Sequence, residues 1–91
     1  MFKVGDKVKV TEHFWAAEKG DEGIIRALPG NNGAKFLAFK IFYAVEFPAW
    51  KRASRGHDCN GIVPSRNGLW VPSECLELIK SASAEKNSYN P

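Results

Sequence analysis

Four side chains carry the chemistry for metal ligation or nucleophilic attack: His13, His57, Cys59 and Cys75. Thiolate with imidazole suits zinc, whose structural sites draw ligands from pairs such as Cys-x-x-Cys. No such pair occurs, His57-x-Cys59 is tighter than a zinc knuckle, and His13 falls in a different loop. The spacing predicts no metal site. Cys59 with His57 and Asp58 also supplies the residue types of a nucleophilic triad, but a triad is made by geometry that neighbours in one loop seldom reach. Gly-x-Ser-x-Gly, Walker and His-Glu-x-x-His runs are all missing from the sequence. The expectation is a binding protein, not an enzyme, with no cofactor.

The richest constellation is basic and aromatic. Trp50-Lys51-Arg52, Arg55, His57 and Arg66 fall between Pro48 and Gly68, where Asp58 is the sole acid, for a local net charge of +3. The whole chain also carries +3, with a pI near 9.0, so the positive excess is concentrated in this stretch. Arginine's planar fork grips phosphate and a neighbouring indole stacks on a base, the mixture used by oligonucleotide-binding modules. Phe14-Trp15, in an earlier loop, would join this surface if the two loops fold side by side. The candidate ligand-binding set is therefore Trp50, Lys51, Arg52, Arg55, His57, Arg66, Phe14 and Trp15, facing a nucleic acid or nucleotide. Aromatics with arginine equally suit a protein partner, so an inhibitor or adaptor using the same loops is the alternative. Trp15 and Trp50 have a further reading as plugs completing the thin core of a small domain.

Short strands must position these loops. Val8 and Val10 alternate with Lys7 and Lys9, a half-buried strand after the turn pair Gly5-Asp6. The alternation breaks from Thr11 to Glu22 and resumes at Ile24 to Leu28. After the turn-rich Pro29-Gly30-Asn31-Asn32-Gly33 comes the most β-prone run, Phe36 to Phe47. Within it Tyr43, Val45 and Phe47 share one face, and Phe42, Ala44 and Glu46 the other. Twelve such residues would span about 40 Å, long for a small sheet, which predicts a bulge near Ala38. Pro48 to Gly68 reads as a long irregular stretch, of the kind that is usually functional. Leu69-Trp70-Val71 follows as a brief strand, then a helical turn at Pro72-Ser73-Glu74 with proline at its first position. Cys75 to Ile79 is the last strand, with Leu76 and Leu78 inward. The polar residues from Ser81 onward read as a disordered tail, leaving residues 1–80 as the folded unit.

Ninety-one residues, 44% of them hydrophobic and 25% charged, describe one small globular domain. Eleven aromatics in so short a chain imply that large rings supply much of its core. No apolar run is long enough for a membrane span or a secretory leader. Two cysteines without an export signal read as free thiols, and the expected location is the cytoplasm. Monomer or weak homodimer is expected, since an edge strand beside the long loops could pair with a second copy.

Gly5-Asp6-Lys7-Val8-Lys9-Val10 and Gly20-Asp21-Glu22-Gly23-Ile24-Ile25 resemble the opening strands of Src-homology-3-like barrels. Trp70-Val71-Pro72-Ser73-Glu74-Cys75-Leu76 is similar to the Leu-Phe-Pro-Ser-Asn-Tyr-Val passage before their last strand. The resemblance covers residues 2–80 in order. It implies an all-β fold: a single small barrel of about five short antiparallel strands with two long loops and one helical turn. The proline-peptide groove of that family does not carry over. Its aromatic first-strand run is replaced here by Val8-Lys9-Val10-Thr11-Glu12, and Cys75 stands where its tyrosine would be. His57-Asp58-Cys59-Asn60-Gly61, followed by Gly68-Leu69-Trp70-Val71-Pro72, is also similar to a pattern in small uncharacterised bacteriophage proteins. That implies a phage-encoded accessory protein at work in the host bacterial cytoplasm, on nucleic acid or on a host factor.

Overall fold

The computed structural model describes residues 2–30, 42–50 and 56–82. Five strands form one antiparallel sheet: β1 (Lys7–Val10), β2 (Glu22–Ala27), β3 (Phe42–Glu46), β4 (Gly68–Pro72) and β5 (Leu76–Lys80). Their spatial order is β4-β3-β2-β1-β5, so β4 and β5 lie at its ends. A 3-10 turn, Ser73–Cys75, separates β4 from β5. Among the described residues no helix is long and apolar enough to cross a membrane.

The alternation along each strand decides what it buries. Val8 and Val10 of β1 are fully buried while Lys7 stays in water, which is the period-2 pattern of a one-sided strand. Ile25 of β2, Tyr43 and Val45 of β3, and Leu69 and Val71 of β4 meet them in the main core, closed by Phe47, Trp50, Cys75 and Leu76. Phe2 adds an edge-to-face contact with Tyr43, ring centroids 5.2 Å apart. The opposite face of β3 and β4 is buried too. Ala44 and Trp70 pack there under Cys59 and Val63, contributed by residues 56–67. All five residues of β4 are therefore buried, and Cys59 and Val63 of the second irregular stretch are buried with them.

The last strand departs from expectation. Leu76 is buried, but Leu78 is 48% exposed, not inward. The β1–β5 register shifts between Lys7 and Val8, where Lys7 faces Lys80 and Val8 faces Leu78. Ile79 is thereby the extra residue of a bulge, and a bulge bends its strand. Among the described residues no further strand pairs with β5 at this end of the sheet, and Leu78 and Ile79 stay exposed. Smaller shifts occur elsewhere. β2 starts at Glu22 and stops at Ala27, and Pro72 closes β4 and precedes the 3-10 turn instead of starting it. The bulge expected near Ala38 lies outside the described residues. Just past Lys80, the backbone N–H of Ala82 donates to Oδ1 of Asp6 at 2.8 Å. The rest of the expected tail, residues 83–91, lies outside the described part.

Candidate functional site

Residues 11–21, between β1 and β2, fold back on themselves and end in a tight turn. Phe14 and Ala17 exchange two backbone hydrogen bonds of 2.9 Å, leaving Trp15 and Ala16 as a two-residue tip. Trp15 sits at φ 53°, and Ala16 is not among the positive-φ residues. Positive φ at the first central position alone is the pattern of a type II′ turn, where glycine is the ordinary occupant. A tryptophan there is strained. Its indole is nonetheless 77% exposed, the most open large apolar side chain among the described residues. His13 supports the tip, its Nε2 standing 2.6 Å from the Trp15 carbonyl.

The foot of this loop is tied by hydrogen bonds. Gly20 donates to the Val10 carbonyl, and Val10 to that of Asp21, each at 2.8 Å. The Asp21 carboxylate accepts from the Glu18 N–H at 2.9 Å and from the Trp50 indole at 3.2 Å. One face of the tip packs inward, where Phe14 lies 5.9 Å from Phe42 at the start of β3.

The facing wall comes from residues 56–67. His57 and Gly68 exchange backbone hydrogen bonds of 2.9 and 2.7 Å, tying this segment to the start of β4. The approach is close enough to require glycine. A Cβ on Gly56 would stand 2.5 Å from the Gly68 carbonyl oxygen, and one on Gly68 would stand 2.7 Å from Val63. Cys59, Asn60 and Gly61 then take three successive positive φ values, 51°, 61° and 89°, which reverse the chain and drive Cys59 inward. The Cys59 N–H donates to Nδ1 of His57 at 2.9 Å. Because an N–H only donates, Nδ1 is the acceptor, and the proton of the neutral ring is on Nε2.

Between tip and wall lies an open groove of about 540 Å³. Phe14, Trp15, Phe42 and Trp70 supply its aromatic surfaces, Leu69 part of its floor, and His57 and Asn60 its polar groups. Among the described residues, His57 is the one titratable group in this lining. A mostly apolar concavity with few polar groups is the usual form of a small-ligand site.

The expected site residues divide into three groups. Phe14, Trp15 and His57 come together in the groove. Trp50 does not: it is 3% exposed and stacks on Phe47 with centroids 4.3 Å apart, so its ring takes the plug role. Arg66 is exposed at φ 63° but does not line the groove. Lys51, Arg52 and Arg55 lie outside the described residues. Phe42, Asn60, Leu69 and Trp70 were not expected there. For Phe42 a signal existed, because a phenylalanine on the face opposite Tyr43 and Val45 needs cover of its own.

The chain matches no family model, no curated protein and no solved structure.

Both cysteines are buried free thiols. Burial, with the Asp58 charge beside it, pushes the Cys59 thiol up to about 12, so it stays protonated at neutral pH and does not serve as a thiolate. Cys75 is raised as well, by burial and then by the charges of Glu12 and Glu74. Among the described residues no three His, Cys, Asp or Glu side chains converge as metal ligands. A second polar cluster lies on β2 and β3. The Glu46 carboxylate accepts from Ser65 Oγ at 2.6 Å and from Arg26 Nε at 2.7 Å. The Ser65 hydrogen bond, with help from Arg26, holds it below the ordinary carboxylate value in spite of burial.

Proposed function

We propose that this chain is a non-enzymatic binding module, built as a Src-homology-3-like barrel, that holds a nucleic acid or nucleotide through its two long loops. The observation that carries the reading is Trp15: a strained residue at a loop tip, with its indole in water above an aromatic groove. Strain of about 1–3 kcal/mol persists only where surrounding structure enforces it, and it gathers at binding sites. The sequence adds the charge. Lys51, Arg52 and Arg55 lie just before Gly56-His57 in the sequence, so a cationic segment precedes the residues of the groove wall. Aromatic surfaces beside basic residues suit a phosphate-bearing partner. The barrel reading draws support from the strand order, the long first loop and the 3-10 turn before the last strand. Its setting, by resemblance, is a phage-encoded protein acting inside a bacterium.

Titration with short single- and double-stranded DNA and RNA over a salt series tests this reading. Affinity should fall linearly with salt on logarithmic axes, and Arg52→Ala with Arg55→Ala should flatten the slope by about 1 to 2. Failure of every nucleic acid and nucleotide to bind at low salt rejects it and favours an inhibitor or adaptor that uses the same loops on a protein.

A further inference from the structure

We infer that the groove takes one unpaired nucleobase, stacked on Trp15, so that the protein selects single strands over duplex; this rests on the nucleic-acid reading above. Three features of the groove lead there. The first is shape and surface: the walls are rings, and an exposed indole offers a flat face to a flat partner. A base inside a duplex shows only its edges in the grooves, so its face reaches Trp15 only when it is unstacked.

The second feature is the fixed proton of His57. With Nδ1 occupied by the Cys59 N–H, the neutral ring offers Nε2–H as a donor, while Asn60 offers an amide that both donates and accepts. Those groups match the mixed edge of a base. Both residues are exposed beside the groove, and a purely apolar guest would make no hydrogen bond with either. The third feature is charge. Among the described residues the lining contains no carboxylate, and in the sequence Lys51, Arg52 and Arg55 lie just before Gly56, where the wall begins. Phosphates flanking a bound base are thereby favoured over a neutral aromatic side chain of a peptide.

The test uses the full chain and fluorescence anisotropy at low salt with three labelled probes: a single strand of about ten nucleotides, an abasic strand of the same length, and a duplex of the same sequence. The base-bearing strand should bind ~5- to 150-fold tighter than the abasic one, the value of one stacked base. Trp15→Ala should remove that advantage and leave abasic binding unchanged. Because Trp15 is exposed, the variant should keep the parental melting temperature, and Trp15→Phe should retain part of the preference. Equal affinity for base-bearing and abasic strands overturns this inference and leaves the phosphate-binding reading standing. Absence of binding to all three probes overturns that reading too. A duplex that binds as tightly as the single strand overturns the stacking geometry.

Discussion

The indole N–H of Trp50 donates to Oδ2 of Asp21 at 3.2 Å, pinning the start of the second loop to the foot of the first. Its ring stacks on Phe47 at 12° between planes, and its carbonyl accepts from the Asn67 side chain at 2.6 Å. Three contacts from one residue thus hold together the segments that build the groove. Trp50→Ala should therefore destabilise by about 3–5 kcal/mol, as a large core truncation does. Trp50→Phe, which keeps a ring but loses the donor, should cost about 1 kcal/mol plus the volume change. Urea denaturation read by circular dichroism distinguishes the two. A loss under about 1 kcal/mol in the alanine variant would contradict the plug role.

Trp15 should behave in the opposite way. Glycine is free at positive φ, so Trp15→Gly should leave stability unchanged or raise it by up to about 1 kcal/mol. The same substitution removes the exposed indole and should weaken ligand binding. Stability gained with binding lost is the signature of strain held for function. A large drop in melting temperature would show that Trp15 is structural.

Acid stability should report the cluster of Glu46, Arg26 and Ser65. The folded carboxyl titrates below its ordinary value of 4.5, so its contribution is full above that value and is lost as pH falls through the lower folded one. Ser65→Ala deletes the strongest hydrogen bond to this carboxylate and should cost about 1.5–3 kcal/mol at pH 7. The gap between parent and variant should close as the solution is acidified below pH 4.5. A gap that is constant with pH would exclude the carboxylate as its source.

Cys59 gives a prediction on the alkaline side. Its thiol titrates near 12 when folded and near 9.0 when free, so the unfolded chain loses this proton first. Stability should fall as pH rises between those values. Iodoacetamide at pH 8 should leave Cys59 unmodified in the native protein and label it in urea, as mapped by mass spectrometry. Prompt labelling without denaturant would contradict the buried, protonated thiol.

How much of this was legible in the sequence depends on whether a residue's role left a periodic trace. Val8 and Val10, and Tyr43, Val45 and Phe47, alternate because one face of their strand meets the core, and that pattern identifies β1 and β3. Leu78 carries the same pattern, yet it lies past a bulge in an uncovered strand, and alternation does not say where cover ends. Cys59 and Val63 left no trace at all. They enter a second apolar layer through three consecutive positive φ values, a conformation without period 2 or 3.6. Trp50 was ambiguous because its neighbours Lys51 and Arg52 suggest a surface, while its own ring turns inward. Phe14, Trp15 and His57 were legible as candidates and meet in the groove, since rings and imidazoles in loops have no strand to account for them. Phe42, Leu69 and Trp70 were masked by their strands: each fills a β position and lines the groove as well.

Indole resonances give the most direct test of the central claim, that an exposed Trp15 above an aromatic groove is where the partner binds. The three tryptophans provide three indole N–H cross-peaks in a ¹H–¹⁵N correlation spectrum, assignable by Trp15→Phe and Trp50→Phe. On titration with a short single strand at low salt, the Trp15 peak should shift strongly, and the buried Trp50 should move little. A Trp15 peak that stays in place while the strand binds would contradict the account.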